Sequence, residues 1–435
     1  MRAWPQPPIP GLPPAPGRLR LFDTAAGGVV PVGPQRGPAR LYVCGITPYD
    51  ATHLGHAFTY LTFDLVNRQW RDLGHPVVYA QNVTDVDDPL LERAAATGAD
   101  WETLAASEID LFRSDMAALR VIPPDYYQGV VESLDLVVAL IARLAAAGAV
   151  YQLDDPEYPD WYCAHTAADL GGWSRLDAAA MEALFAQRGG DPDRPGKRHR
   201  LDALVWRLAR PGEPSWDSLL GRGRPGWHVE CVALAMEALG PDFDLQGGGS
   251  DLIFPHHTMC AAQALAATGR PLARAYAHVG LVGLAGEKMS KSQGNLVLVS
   301  QLLEQGCDPM ALRLALLNHH YRADWSWTAA DLARAEARLA GWRSVLGVGG
   351  AAPAGDGAAP ATLSGGAVLA STGADQARAG DGSAGAAVVA GLRQDLRHDL
   401  RADHALARLD AWAAAGCPDP ATVRPAVDAL LGVAL

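Results

Sequence analysis

Residues 41–82 leave this chain few architectures. Leu41-Tyr-Val-Cys44 has the look of a short buried strand, a loop follows through His53, apolar residues recur with helical period from about Gly55 to Leu73, and Val77-Val-Tyr-Ala-Gln-Asn82 is a second strand. A strand, loop, helix and strand of these lengths form a βαβ unit. An α/β fold with a parallel sheet is therefore expected, with ligands at the carboxyl ends of its strands. Cys44, His53 and Asn82 fall on that edge.

At 435 residues the chain can hold two or three structural units. Residues 1–39 are a Pro-rich N-terminal extension, and 40–110 carry the first half of the sheet domain. The pattern over 101–150 is helical, while 151–225 mix hairpin-like pieces with Gly/Pro-rich loops, which marks 111–225 as an inserted connective region. The second half, 226–330, contains a helix around Cys231, a Gly-rich turn at Gly247-Gly-Gly249, a helix from about Phe254, a strand from about Ala277 to Val282 and a lysine-bearing loop. A helical continuation (331–347), a Gly/Ala-rich linker (348–384) and a C-terminal helical segment (385–435) follow. That last segment is too short for an elaborate RNA-binding domain.

The net charge of -12 and the absence of any Lys/Arg stripe weigh against a nucleic-acid partner. No apolar run reaches the roughly 18 residues that a membrane span needs, so no membrane role is expected. Met1 to Arg18 lacks the apolar centre of a secretory signal, which points to a cytoplasmic, reducing location. Six scattered cysteines then suggest metal ligation or ordinary burial rather than disulfides.

Lysine usage is uneven: there are three lysines against 33 arginines, and two of the three stand in Glu287-Lys-Met-Ser-Lys-Ser-Gln-Gly-Asn295. A compact ammonium on a flexible stem suits a site that a planar guanidinium does not. Far upstream, Asp50-Ala-Thr-His53-Leu-Gly55-His56 places two imidazoles where a loop turns into a helix N-terminus, a position that favours anions such as a triphosphate. Either motif alone is more often structural; the two in this order are far more specific.

Together they resemble the two signature motifs of class I aminoacyl-tRNA synthetases, over most of residues 40–330. Tyr42-Val-Cys-Gly45, Asn82-Val-Thr-Asp-Val-Asp-Asp88, Gly223-Arg-Pro-Gly-Trp-His-Val-Glu-Cys231 and Gly247-Gly-Gly-Ser-Asp-Leu-Ile-Phe-Pro-His-His257 look like that class's cysteine-activating branch. The resemblance implies a Rossmann-like catalytic sheet, ATP as substrate together with Mg²⁺, and one zinc ion that binds the substrate thiol. It implies Cys44, Cys231 and His256 as zinc ligands. The tRNA-charging branch ends this segment with a metal-binding Glu; here Cys260 stands in that place, either a fourth ligand or a buried thiol beside an open metal position.

The same resemblance implies further roles. Lys288, Lys291, His53 and His56 would neutralise charge on the reacting phosphates. Cys44, Gly45, Ile46 and Thr47 would border the substrates. Thr59 and Trp227, with the Asn82-Val83-Thr84 backbone, would line the cysteine pocket. Gly249, Ser250 and Asp251 would let the backbone approach adenosine, and Val282 would flank adenine.

For the acceptor, Cys44-Gly-Ile-Thr-Pro-Tyr-Asp-Ala-Thr-His-Leu-Gly-His56 and Gln187-Arg-Gly-Gly-Asp-Pro192 resemble a sister family, the mycothiol-pathway ligases that join L-cysteine to the amine of glucosaminyl-inositol. Gln187 and the His-His-Thr-Met segment depart from the pattern of those ligases. The expectation is an ATP-dependent, carbon–nitrogen bond-forming ligase, acting as a monomer on cysteine, ATP and an amino-sugar inositol. A cysteinyl-tRNA synthetase with a reduced C-terminal domain and a catalytically idle zinc-binding paralogue are the alternatives.

Overall fold

The computed structural model describes residues 1–165, 170, 172, 174–284, 287–288, 296–347 and 382–435. Lys291 and residues 348–381 of the expected linker lie outside the described residues. In chain order the chain forms β1 (Arg20–Asp23), β2 (Gly28–Pro31), β3 (Ala39–Val43), α1 (Leu54–Asp72), β4 (Val77–Val83), α2 (Asp88–Thr97), α3 (Trp101–Ala118), β5 (Tyr126–Gly129) and α4 (Leu134–Ala146). Next come β6 (Val150–Gln152), β7 (Trp161–Cys163), α5 (Ala178–Gln187), β8 (Ala203–Leu208), β9 (Gly223–Pro225), α6 (Trp227–Leu239), β10 (Leu245–Gly249), α7 (Thr258–Thr268), β11 (Tyr276–Val279), β12 (Val282–Leu284) and β13 (Glu287–Lys288). The remainder is α8 (Val299–Glu304), α9 (Pro309–Leu317), β14 (Trp325–Trp327), α10 (Ala329–Val345), α11 (Gly382–Arg397), α12 (Ala402–Ala414) and α13 (Pro420–Leu431).

The central sheet is parallel throughout, in the order β11-β10-β3-β4-β5. β3 is flanked on one side by the next strand in sequence and on the other by a strand from about 200 residues later, so the strand order reverses between β3 and β10. Ligands of such sheets bind outside the carboxyl ends at this reversal. Cys44 directly follows β3, and Ser250 directly follows β10.

Two local expectations differ. Gly247 to Gly249 form a central strand, not a turn. A Cβ on Gly247 would stand 2.3 Å from the Phe63 ring, and one on Gly248 2.9 Å from His257, so glycine here admits neighbouring rings. Residues 126–129, inside the stretch expected to be helical, are the sheet's edge strand.

Helix α1 is buried on nearly every side, because the sheet covers one flank and the C-terminal helices the other. Leu392, Leu406, Leu409 and Leu430 belong to the same apolar cluster as Leu41 and Leu61. At its centre the Asp64 carboxylate takes Arg68 Nε at 2.7 Å, and it also receives Arg313. Those guanidiniums donate onward to carbonyls at the end of α13, Arg68 Nη1 to Asp428 at 2.9 Å and Arg313 Nε to Leu431 at 2.7 Å. The N-terminal extension is also built in: Trp4 packs edge-on against Phe112 and Tyr127, and its Nε1 donates to the Val121 carbonyl at 2.8 Å. Strands β6 to β9 form a separate antiparallel sheet within the connective region.

Candidate active site

The sequence folds into a capped helix at His53 for a local reason. His53 holds an extended backbone, and its Nδ1 accepts from the amides of Gly55 at 3.1 Å and His56 at 3.4 Å. Two of the orphan amides of α1 are thereby satisfied. Because Nδ1 accepts, the ring proton sits on Nε2, which makes that edge a donor. The His56 ring stacks on His53 with centroids 3.8 Å apart. A Cβ at Gly55 would meet the His53 ring at 2.9 Å, so glycine makes this cap possible.

Cys44, Cys231 and His256 come from three separate parts of the chain: the end of β3, the second turn of α6 and the turn before α7. All three are buried, and their ligand atoms lie within 4.8 Å of one another. Trp227 stacks on His256 with centroids 4.4 Å apart, which fixes the plane of that imidazole. Around Cys44, its Sγ is 3.1 Å from His257 Nε2, and Tyr60 Oη donates to its carbonyl at 3.1 Å. His257 Nδ1 in turn meets His278 Nε2 at 2.8 Å, and His278 Nδ1 meets Thr24 Oγ1 at 2.7 Å.

The electrostatics suit a cation. The adjacent Cys44 thiol and burial push the Cys231 thiol well above its usual range. Burial works to lower His256, but the neighbouring Cys260 and Cys231 sulfurs outweigh it and hold that imidazole up to about 10. Two thiolates crowded in a dry site are costly unless a positive charge joins them. Two sulfurs and one imidazole fit a soft divalent metal with one position left for substrate.

Cys260 stands apart from that trio. Its Sγ donates to the His228 carbonyl at 3.3 Å, and it lies beside His256. Among the described residues, the converging group consists of Cys44, Cys231 and His256 without it.

A cavity of about 760 Å³ opens at this edge of the sheet. Its metal-side wall includes Cys44, Gly45, Thr59, Thr84 and Trp227. Ile46 and Thr47 continue that wall toward His53 and His56. Gly249, Asp251 and Val282 also line the cavity. Asn82, Val83 and Ser250 do not line it.

Asn82 acts from behind instead. Its Oδ1 accepts from Gly45 N at 2.8 Å and Tyr42 Oη at 3.0 Å, and its Nδ2 donates to Thr84 Oγ1 at 3.0 Å. A Cβ at Gly45 would fall 1.6 Å from the Asn82 carbonyl oxygen.

The lysine loop is anchored at both ends. β13, which contains Lys288, pairs with β12, and after the loop Leu54 N donates to the Val297 carbonyl at 3.0 Å while Val299 N donates to Thr52 at 3.0 Å. The chain thus rejoins the fold beside the His53 cap.

Several participants carried little signal of their own. His257 stood inside a quoted motif, and the dyad His256-His257 was its only mark. Tyr60, His278 and Thr24 are single residues in α1, β11 and the turn between β1 and β2, and no spacing joins them.

Comparison with known proteins matches this architecture. The family model for "tRNA synthetases class I (C) catalytic domain" matches residues 32–337. The chain is 56% identical to the L-cysteine:1D-myo-inositol 2-amino-2-deoxy-alpha-D-glucopyranoside ligase of Kribbella flavida, covering 100% of both chains. It is 54% identical to the protein of the same name from Thermobifida fusca, over 100% of this chain and 99% of that one. Among solved structures, a Mycobacterium tuberculosis methionyl-tRNA synthetase shares the fold at 19% identity, with a TM-score of 0.60 over 92% of this chain and 89% of that one.

Proposed function

Because the chain belongs to the class I (C) tRNA-synthetase catalytic-domain family, and matches its cysteine:amino-sugar ligase members over its full length, we propose that it joins L-cysteine to the amine of 1D-myo-inositol 2-amino-2-deoxy-alpha-D-glucopyranoside. The cysteine carboxylate attacks the α-phosphorus of ATP and diphosphate leaves, giving cysteinyl-adenylate. The acceptor amine then attacks the acyl carbon, AMP leaves, and the amine gives up its proton as the amide forms. This is the ligation step of mycothiol synthesis.

The observation that carries the reading is the convergence of Cys44, Cys231 and His256 next to the anion-favouring N-terminus of α1. Those three residues would hold zinc. When bound, the metal supplies a soft Lewis acid for the substrate thiol, which a serine hydroxyl matches poorly, so discrimination arises at binding. Cys260, hydrogen-bonded to the His228 carbonyl, serves as a buried neighbour of His256 rather than a fourth ligand.

The protein's own groups position and neutralise. The positive end of the α1 dipole and the Nε2 donor of His53 face the phosphates, with His56 stacked on that ring. Lys288 and Lys291 add charge from the adjoining loop, and Mg²⁺ accompanies ATP. Gly249 and Asp251 border the adenosine, and Val282 the adenine. No described helix is long and apolar enough to cross a membrane.

Cysteine-dependent ATP–pyrophosphate exchange tests the first half-reaction. Exchange with cysteine at least a hundredfold above that with serine is expected; equal or absent exchange would remove the reading.

A further inference from the structure

The substrates already placed leave one wall of the cavity without a role. The metal and cysteine take the Cys44 side, and the nucleotide takes the side of His53, Gly249 and Val282. The polar part of the remaining lining comes from Tyr49, Asp50 and one face of α2, namely Pro89, Glu92, Arg93 and Ala96, while the rest, such as Val279, Leu281 and Leu296, is apolar.

The spacing of those α2 residues is that of a single helix face. The same helix buries Leu90 and Ala94 on its other side, so the cavity face is not needed for packing. Glu92, Arg93 and Ala96 are exposed to the cavity and solvent.

Arg93 Nη2 reaches across to Asp50 Oδ1 at 3.2 Å, joining helix and loop into one polar wall. Beside it, burial and the carboxylates of Asp50, Asp87 and Asp251 hold the Tyr49 phenol above its usual range, so it stays neutral and able to donate. The acyl carbon of the adenylate must lie between the thiol site and the α-phosphate site, and this wall lines the same cavity as both.

We propose that Glu92, Arg93 and Asp50 form the acceptor subsite, binding the hydroxyl-rich amino sugar and aiming its amine at the acyl carbon. The assignment rests on the ligase reading above. Hydroxyls donate to carboxylates and accept from a guanidinium, so alternating groups of both kinds suit a polyol. Two carboxylates against one guanidinium also favour a cationic amine and repel a phosphodiester chain. A small amino sugar therefore fits this wall, and the acceptor end of a nucleic acid does not.

The test uses the full chain with glucosaminyl-inositol, comparing Glu92→Gln, Arg93→Gln and Ala96→Trp with the parent. All three positions are exposed, so folding is not at stake, and the Trp variant fills the subsite without removing a polar group. The acceptor KM is expected to rise tenfold or more in each, while cysteine-dependent ATP–pyrophosphate exchange stays within threefold of the parent. An acceptor KM within threefold in all three variants overturns the subsite. So does a parallel fall in exchange, which would assign this face to cysteine or ATP. Absence of exchange in the parent chain would instead remove the ligase reading, and the subsite with it.

Discussion

Replacing Asp64 by Asn removes the one negative charge between two buried guanidiniums while keeping side-chain volume. In the native chain Asp64 Oδ2 meets Arg68 Nε at 2.7 Å and also Arg313, and Oδ1 accepts from Ile122 N at 2.9 Å. Asn can preserve the Ile122 contact, but it cannot balance two cations whose side chains, like that of Asp64, have no solvent exposure. Both arginines keep carbonyl partners, so the loss is chiefly that of charge pairing.

Breaking a buried pair from one side costs about 3–5 kcal/mol, and we expect about 4 kcal/mol here, a large part of the roughly 5–15 kcal/mol that stabilises a typical protein. Removing one stranded cation as well, in the Asp64→Asn/Arg313→Met double variant, should recover more than about 1 kcal/mol of that loss. Burial works to raise the Asp64 carboxyl, but Arg68 and Arg313 outweigh it and hold it below its usual range. A carboxyl lowered in the folded state stabilises above its unfolded value of about 3.9 and loses that contribution as pH falls through the folded one. Wild-type stability should thus carry an acid-limb slope below about pH 4 that Asp64→Asn reduces. Chemical denaturation followed by far-UV circular dichroism, repeated across pH, measures both. A loss under about 1 kcal/mol with an unchanged acid limb would refute the claim that this node ties the C-terminal helices to α1.

Three other outcomes follow from the site. Gly45→Ala should lower pyrophosphate exchange at least a hundredfold, because the new methyl falls on the Asn82 carbonyl oxygen; exchange within fivefold of the parent would show that the wall gives way. Lys291→Ala should lower the adenylation rate greatly while zinc content and cysteine binding persist, and near-normal turnover would remove the lysine from the mechanism. Cys260→Ala should retain one zinc per chain by elemental analysis, with an unchanged cobalt-thiolate spectrum on metal substitution; loss of a thiolate band would make Cys260 a ligand.

The parts of the fold that show clear periodicity were legible in the sequence. β3, α1 and β4 were readable because strands covered on both faces are apolar runs and α1 repeats with helical period. β5 was not: Tyr126–Gly129 has four residues with Tyr126 exposed, too short and too mixed to stand out from flanking helices. Gly247 to Gly249 suggested a turn because glycine usually ends strands, yet here the Phe63 and His257 rings occupy the space of the missing side chains. The helix start after His53 could be read from seven consecutive residues, but not that the His53 ring would itself take the Gly55 and His56 amides expected to serve an anion. Cys44, Cys231 and His256 could not be joined by spacing, since the sheet brings together positions more than 180 residues apart; only the family resemblance linked them. The α2 wall at Asp88–Thr97 lay outside the stretches expected to be helical, and nothing in its sequence says which side meets the cavity.

The acceptor is the centre of the account, and one measurement addresses it directly. The purified chain, given cysteine, ATP and an equimolar mixture of glucosaminyl-inositol and cysteine-specific tRNA, is analysed by mass spectrometry and acid-gel charging. Cysteinyl-glucosaminyl-inositol and AMP in equal amounts, with uncharged tRNA, are expected. Cysteinyl-tRNA with no amino-sugar amide would contradict it.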